Sequence, residues 1–574
     1  MGRHSFLVKK VISSSGLFFF FLFNLGVYFF LQPVYLVPDG VGYVAYLPAL
    51  FARHTLSFLS IFDAVPMGLP LARTSTGWAA NLWPFGLSFL WLPFYEGARI
   101  AVHFFYRSIP QEWNPFYLGA LNMASMLFGG GAGLLLYDAL SSTLSSWKRQ
   151  VLALLCFFGT PLFYYSFCIG AMAHAASAFA SGLFLWYWLK TTSIFFGAPG
   201  YKRRWFLLGV LAGIAAMVRT QEIIILIAPL WEWARKVRHH EESFKSKTPL
   251  LLLGGVCLGL SPQLLIWRFL YGSYFGSPQI FNLALANFAL GKSLFSSFHG
   301  LFAWTPLYFL ASVGLFLAAK ERRWEAQPFI AILFSQILIN SFYTAWWDML
   351  SFSLRLLTGT FLIAGVGLGW LVRDKRFSRA GWMGIGLCAG WSLLLALHGY
   401  AGTIDLRLFY PWPLLIPAAF DGHALAAGLY QTLWHYGHPP IFLIALAMIF
   451  ESFFLLWLWT VLHKRSIEEN SVRPTRILLW TFLPWLCYAL IFIGIAQRAP
   501  KPLWPHAVIL KPEELGSIFM ADAFEGKARY WLARHEPALA LAAIEQAEQT
   551  LPPPPVADNF REEFKTLRHD ILKK

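Results

Sequence analysis

The chain has 574 residues, of which 57% are hydrophobic and 13% are charged, and its formal net charge is +16. Because soluble domains usually have about 25% charged residues, this composition excludes an ordinary soluble protein and indicates a membrane protein. The positive charge alone would fit a nucleic-acid-binding protein. The basic residues, however, are concentrated between apolar runs on one predicted side of the membrane, so the sequence predicts no nucleic-acid partner.

Apolar runs that are long enough to cross a bilayer recur along the whole chain. They fall near 12–32, 116–137, 150–169, 174–190, 205–219, 221–235, 248–269, 301–319, 327–346, 355–372, 380–399, 439–462 and 476–496. The pattern predicts an all-α polytopic protein with about 13 transmembrane helices, surrounded by membrane lipids.

The distribution of charge predicts how the chain is oriented. If residues 1–10 lie in the cytoplasm, about 25 of the 45 Lys and Arg residues fall in cytoplasmic segments, as the positive-inside rule requires. The first apolar run, 12–32, is not followed by a small-residue cleavage site, so it is predicted to be a retained anchor. The N-terminus is therefore predicted to be cytoplasmic and the C-terminus to lie on the opposite side.

Some predicted outer segments are longer than simple turns. They are residues 33–115, about 270–300 and about 400–438. Within the first of them, the aromatic and amphipathic stretch 82–106 is predicted to lie along the membrane surface and to be interrupted by Pro84 and Pro93.

The tail, 497–574, differs sharply in composition from the rest of the chain. Residues 527–556 have apolar positions at helical spacing and a proline stop, and they resemble one tetratricopeptide-like helix pair. Such a pair is either a small helical cap or a docking module for a protein partner.

Two glycine clusters, 129–133 and 365–369, lie inside apolar runs. We expect them to allow close helix packing rather than to bind phosphate. The five cysteines are scattered in apolar runs without a CxxC motif, so the sequence predicts neither disulfides nor a zinc site.

Ionisable residues near membrane spans are costly, which makes them candidates for function. Those predicted at the outer ends of the apolar runs are Asp39, His174, Arg219, Glu222, Arg268, His299, Asp348 and Arg355. They form either one site between the helices and the outer loops, or separate ion pairs and arginines that reach the interface. Glu451 lies inside an apolar run and is either protonated or hydrogen-bonded to a neighbouring helix, or part of a proton relay.

Transfer of a sugar from a polyprenyl phosphate would give such a site a chemical role. The acceptor needs a carboxylate to take its proton, and Asp39 lies where the chain leaves the first apolar run. The leaving phosphate needs cations, and the guanidinium groups of Arg219, Arg268 and Arg355 match its oxygens. Because the donor's lipid tail stays in the bilayer, both kinds of group have to lie at the membrane surface.

Several stretches follow one another along the chain in an order that resembles a known protein family. They are PDGVGY (38–43), NLWPFGLSFLWLPFY (81–95), GTPLFYYSF (159–167) with MAHAASAF (172–179), GVLAGIAAMVRTQ (209–221), SPQLLIWRFLYGSYFGSP (261–278), HGLFAWTPLYFL (299–310) and SFYTAWWDMLSFSLRLL (341–357). Together they resemble the C-type glycosyltransferase superfamily, in particular its bacterial members akin to protein O-mannosyltransferases and lipid A aminoarabinose transferase. The resemblance covers about residues 12–372. It predicts a catalytic membrane module at 1–372, a variable membrane region at 373–496 and a separate tail at 497–574.

The resemblance implies the C-type glycosyltransferase fold, with interfacial helices in the first outer loop. It implies an inverting transferase that takes a sugar from a polyprenyl phosphate on the periplasmic or lumenal side, in a bacterial inner membrane. Asp39 is then the catalytic base. Further contacts with substrate are assigned to Tyr43, His174, His299 and Asp348, and the acceptor is left open as a glycan, a lipid or a protein.

One departure from the family bears on cofactors. Many relatives have two adjacent acids in the first outer loop, whereas Gly40 follows Asp39 here. We therefore expect no cofactor and no obligatory divalent metal, with Asp348 as the candidate for a second acid. Two other functions stay open: a transporter or flippase of polyprenyl-linked sugars, and a non-catalytic scaffold that binds a partner through its tail.

Overall fold

A computed structural model describes the protein in the ranges 38–58, 61–62, 74–106, 115–243, 246–275, 288–343, 351–373, 377–404, 406, 410–426, 428–429, 528, 537–551 and 558–573. The α-helices of six or more residues in these ranges are α1 (Pro38–Leu47), α2 (Gly86–Tyr106), α3 (Pro115–Ala139), α4 (Ser146–Phe158), α5 (Ala173–Thr191), α6 (Tyr201–Val218), α7 (Ile227–Arg238), α8 (Thr248–Tyr271), α9 (Leu290–Phe295), α10 (Leu307–Lys320), α11 (Ala326–Phe342), α12 (Phe361–Arg373), α13 (Arg379–Tyr400), α14 (Trp412–Ala419), α15 (Pro537–Thr550) and α16 (Asp558–Leu572). Shorter 3₁₀ helices follow α6 and precede α12. These ranges contain no β-strand.

Several of the described helices are long and apolar enough to cross a membrane. They are Tyr117–Ser142, Thr248–Tyr271, Arg355–Arg373 and Arg379–Tyr400. A bent pair, Ser146–Phe158 and Pro161–Cys168, passes the same test if its two helices form one span with a 67° bend. The predicted all-α polytopic class is confirmed, and every apolar run predicted between 116 and 399 contains a helix. The runs 12–32, 439–462 and 476–496 lie outside the described residues, as does Glu451, so the count of about 13 spans stays a prediction.

Within the stretch 82–106, residues 86–106 form one continuous helix, where the sequence predicted a break at Pro93. Helix α2 begins at Gly86, after Pro84, and continues through Pro93. The predicted break at Pro93 is wrong because a proline removes only one backbone hydrogen bond, and Pro93 lies on the exposed side of the helix. Helix α2 is not one of the helices that are apolar enough to span the membrane.

Glycines bring α6 and α8 into close contact. Gly209 and Gly213 on α6 face Gly255 and Gly259 on α8, and a Cβ on Gly209 would overlap the carbonyl oxygen of Leu252. Because residues later in α6 meet residues later in α8, the two helices run parallel and end on the same side. The predicted role of glycine in close packing is also confirmed for the clusters at 129–133 and 365–369, whose members face side chains or backbone of neighbouring helices.

The described part of the tail contains a helix pair. Helices α15 and α16 pack against each other through an apolar core of their own. Its members are Ala528, Ala540, Ala543, Ile544, Ala547, Phe564, Leu567 and Ile571. The ion pairs from Arg568 to Glu545 and Glu548 connect the two helices at the surface. The division of the chain at 372 and 496 stays a prediction.

Candidate active site

Asp39 is the second residue of α1, a position where the positive end of the helix dipole stabilises a carboxylate. Its side chain is 33% exposed and receives two contacts. The indole Nε1 of Trp83 donates a hydrogen bond to Oδ1 at 3.0 Å. Nη1 of Arg355 lies 3.5 Å from Oδ2, and the Arg355 side chain is only 10% exposed. The carboxylate is therefore held at one oxygen and faces a cation at the other.

Arg355 is fixed by the backbone that precedes it. Its N–H donates to the carbonyl of Ser353 at 2.8 Å, and Leu354 has φ −75° and ψ 73°, which together define an inverse γ-turn. Ser353 has a φ of 56°, in the left-handed region that serine adopts only when its surroundings impose it. Its hydroxyl is hydrogen-bonded to that of Thr305 at 2.6 Å. After this turn, Arg355 is the first residue of a 3₁₀ helix, Arg355–Thr360, which leads directly into α12.

Arg219 lies in the break that follows α6. Its extended backbone, with φ −149° and ψ 118°, separates α6 from the 3₁₀ helix Thr220–Leu226. Its Nη1 lies 2.6 Å from Nδ1 of His174, at the start of α5. Since a guanidinium has no acceptor, this contact requires an unprotonated Nδ1, and His174 is therefore neutral, with its proton on Nε2. The His174 ring also hydrogen-bonds the backbone of Arg355, which joins the two arginines through one imidazole.

Tyr43 completes this group, which we call the outer cluster: Asp39, Tyr43, His174, Arg219 and Arg355. Tyr43 lies one helical turn after Asp39, and the charges of Arg219, Asp39 and Arg355 are close enough to its hydroxyl to influence its pKa. Burial raises the pKa of the Tyr43 phenol far above its ordinary value, so it stays neutral. With His174 also neutral, two guanidinium groups face one carboxylate, and the cluster has one excess positive charge.

The remaining predicted residues are not brought into the outer cluster. Arg268 is exposed near the end of α8, where it hydrogen-bonds the Gly272 carbonyl and lies 5.9 Å from the ring centroid of Tyr274. His299 is fully buried, and its Nε2 is 2.8 Å from the carbonyl oxygen of Leu406. Burial, and less strongly the charge of Arg355, lower the pKa of His299 to about 3. Asp348 lies outside the described residues.

Glu222 and its neighbour Gln221 help to connect the segments that carry Arg219 and Arg355. The Glu222 carboxylate is fully buried and accepts hydrogen bonds from Ser177 at 2.7 Å and Ser181 at 3.1 Å, both on α5. The neighbouring Gln221 donates from Nε2 to the carbonyl of Leu356 at 2.6 Å. The residues that follow Arg219 are thereby tied both to α5 and to the residues that follow Arg355. Glu222 thus supports the outer cluster and is not exposed within it.

Sequence reasoning missed Trp83 and Tyr165. Trp83 was included only in an aromatic membrane-surface helix, and nothing in its local pattern points to Asp39, 44 residues earlier. The hydroxyl of Tyr165 accepts a hydrogen bond from the N–H of Phe352 at 2.8 Å, and its ring lies 4.1 Å from that of His174. Both contacts depend on how distant helices pack, which no local motif encodes.

The described residues contain no group of three or more His, Cys, Asp or Glu side chains that could hold a metal ion. The one carboxylate of the outer cluster is already engaged by an N–H donor and a cation, which is not the ligand set that a divalent metal prefers. Independence of metal stays a prediction, because Asp348 lies outside these ranges.

Comparisons with known proteins give one structural similarity. No protein-family model matches the chain, and no curated protein matches its sequence. The chain is similar to the crystal structure of ArnT from Cupriavidus metallidurans bound to undecaprenyl phosphate. The similarity covers 92% of this chain and 81% of that chain, at 13% sequence identity and a TM-score of 0.45.

Proposed function

We propose that the protein is an integral-membrane glycosyltransferase that moves a sugar from a polyprenyl phosphate to an acceptor at the outer face of the membrane. The observation that carries this proposal is the outer cluster itself. One partly exposed carboxylate lies 3.5 Å from Arg355, and Arg219, at the end of α6, is linked to the same group through His174. Transfer from a lipid-linked phosphate needs a base for the acceptor's proton and cations for the leaving phosphate, and this cluster contains both kinds of group.

In the proposed reaction, the Asp39 carboxylate acts as the base. A hydroxyl or amine of the acceptor attacks the anomeric carbon of the sugar and passes its proton to the Asp39 carboxylate. The bond between that carbon and the phosphate oxygen breaks, and the electron pair leaves with the phosphate. One displacement of this kind inverts the anomeric configuration. Arg219 and Arg355 stabilise the charge that develops on the leaving phosphate.

The geometry of the arginines suits this role. The distance of 3.5 Å between Arg355 and Asp39 is longer than the 2.7–2.9 Å of a tight charge-assisted hydrogen bond. A guanidinium has five N–H donors, so Arg355 can contact an incoming phosphate as well as Asp39. Neutral His174 orients the Arg219 guanidinium without competing for the phosphate. The phosphate and the base are thus brought to the same place, as the reaction requires.

Reconstituted protein tests the proposal. Undecaprenyl phosphate is the lipid bound to ArnT in the similar structure, and we choose it as the lipid of the probe. Proteoliposomes are supplied with undecaprenyl-phosphate-linked sugars of several kinds and with an envelope glycolipid extract. We expect free undecaprenyl phosphate to be released and one acceptor to gain the mass of the sugar. Transport of the labelled lipid-linked sugar across the bilayer without its consumption would instead identify a flippase.

A further inference from the structure

One face of α1 is covered by the segment that leads into α2. Asp39, Gly42, Tyr43 and Tyr46 follow the spacing i, i+3, i+4, i+7, which places them on the same side of the helix. The covering segment contacts each of them. Asn81 donates from Nδ2 to the carbonyl of Gly42 at 2.9 Å, and its own Oδ1 accepts the N–H of Trp83 at 3.1 Å.

Further hydrogen bonds fasten this segment and the first turn of α2 to α1. The Tyr46 hydroxyl donates to the carbonyl of Trp83 at 2.8 Å. The Ser88 hydroxyl donates to the carbonyl of Tyr43 at 2.5 Å. The backbone on both sides of the Trp83 ring is therefore fixed to α1, independently of the contact that the ring makes with Asp39.

Glycine at position 42 lets the indole lie against the helix. A Cβ on Gly42 would overlap atoms Cε3 and Cδ2 of the Trp83 ring. Any larger residue would push the ring away from α1. With glycine there, the ring lies over this turn of α1, and its Nε1 reaches Asp39 Oδ1 at 3.0 Å.

This contact gives the two oxygens of Asp39 different surroundings. Oδ1 accepts the indole N–H, while Oδ2 points to Arg355. An indole is a neutral donor that cannot take the proton from the carboxyl group. It therefore fixes the rotation of the carboxylate while leaving its negative charge in place.

We propose that Trp83 is a positioning residue for Asp39: its indole N–H holds Oδ1 so that Oδ2 faces the reacting groups. This inference rests on the proposed function, in which Asp39 is the base. Gly42 and Asn81 support it by fixing the ring and the backbone of Trp83.

A second tryptophan offers a matched control. Nε1 of Trp188 donates to Oε2 of Glu232 at 2.8 Å, which is the same pair of chemical groups. That pair is fully buried in another charged cluster and has no contact with the outer cluster among the described hydrogen bonds. Replacing either tryptophan with phenylalanine keeps an aromatic ring and removes the N–H donor. Only the variant at position 83 changes Asp39.

The first arm of the test measures release of undecaprenyl phosphate from an undecaprenyl-phosphate sugar. We expect Trp83→Phe to lower kcat about 10- to 100-fold, because small misplacements of a reacting group have effects of this size. KM for the donor should stay the same, since both arginines are unchanged. Trp188→Phe should leave kcat per folded molecule unchanged. An unchanged kcat in Trp83→Phe, or equal losses in both variants, would overturn the inference.

The second arm does not depend on activity. Carbodiimide coupling to a small amine, followed by peptide mass mapping, measures how fast Asp39 is modified. We expect Trp83→Phe to raise this rate several-fold over wild type, because one carboxylate oxygen loses its hydrogen bond. If Trp83→Phe does not fold, Asn81→Ala replaces it in the test, because it keeps the indole but removes the Asn81 hydrogen bonds that hold the Trp83 backbone. It should also raise the rate at which Asp39 is modified. Equal rates in wild type and in the folded variant would refute a positioning role. If the wild type releases no undecaprenyl phosphate, the proposed function fails and this arm still decides whether Trp83 holds Asp39.

Discussion

Helices α5 and α6 carry a charged cluster at each end, and the two clusters differ in how completely they are closed. At the end opposite the outer cluster lies a group that we call the inner cluster: Arg204, Glu232 and Lys236. Arg204 donates to both oxygens of Glu232 at 2.8 and 2.7 Å, and Lys236 lies 2.8 Å from the same carboxylate. The side chains of Arg204 and Glu232 are fully buried. At the outer end, the Asp39 side chain is one-third exposed, and Arg355 lies 3.5 Å away.

Net charge does not distinguish the two clusters, because each combines two strong cations with one carboxylate. What differs is the remaining capacity for hydrogen bonds. At the inner end, Glu232 also accepts from Trp188, and Nε of Arg204 donates to Thr191 at 2.8 Å. A fully paired and buried group of charges can hold helices together but has no place for a ligand. Of the two clusters, the outer one has a carboxylate that solvent reaches, Asp39 at one-third exposure, and substrate binding needs such access.

Exchanging the Asp39 carboxylate for an amide should have the largest effect. We expect Asp39→Asn to lower kcat for release of undecaprenyl phosphate by about 10²- to 10⁴-fold, the usual contribution of a positioned base. Because the side chain is partly exposed, the midpoint of thermal unfolding in detergent should change little. If Asp39→Asn turned over at the wild-type rate, Asp39 would not be the base, and the outer cluster would have no chemical role that the inner cluster lacks.

The matched change in the inner cluster should act on stability instead. Glu232→Gln leaves the buried charges of Arg204 and Lys236 without an anion, which we expect to lower the free energy of unfolding by about 3–5 kcal/mol. Thermal unfolding in detergent measures this loss. The activity of the molecules that remain folded should match wild type. A folded variant of normal stability and reduced kcat would contradict a structural role for this cluster.

Arginine-to-lysine exchanges in the outer cluster should have an intermediate effect. Lysine keeps the charge but loses the fork that matches phosphate oxygens. We expect Arg219→Lys and Arg355→Lys each to weaken binding of undecaprenyl phosphate about tenfold, measured by native mass spectrometry. Arg268→Lys is the informative comparison, because Arg268 is exposed and bonded to its own helix end. An equal loss in that variant would extend the phosphate site to the end of α8.

The sequence grouped Asp39, Arg219 and Arg355, which lie in one cluster, but it also grouped Arg268 and His299 with them and did not indicate how the side chains pair. Asp39, Arg219 and Arg355 each stand at the end of an apolar run, and helix ends on one side of a membrane come close together. Arg268 meets the same criterion, yet its side chain turns to Gly272. Side-chain direction depends on the packing of the last helical turn, which the pattern of apolar residues does not encode.

The inner cluster shows the same limit. Arg204 belongs to the basic group Lys202-Arg203-Arg204, for which the positive-inside rule predicts a cytoplasmic position and nothing more. Its side chain is fully buried because Glu232, 28 residues later, lies opposite it on α7. The pairing of charges on different helices could not be predicted, because it depends on the rotation of each helix about its axis.

The smallest predicted effect concerns His299, a buried residue outside the outer cluster that the sequence predicted to contact substrate. Burial lowers its pKa to about 3, whereas a histidine in the unfolded chain has a pKa of about 6.5. As the pH falls below about 6.5, the unfolded chain binds a proton that the folded protein accepts only near pH 3. Stability is therefore lost progressively across this window. We expect His299→Gln to make the midpoint of thermal unfolding less dependent on pH between 7 and 5, and the exposed-site control His239→Gln to leave that dependence unchanged. If His299→Gln instead weakens substrate binding at constant stability, His299 contacts substrate as the sequence predicted, and the substrate site extends beyond the outer cluster to its ring.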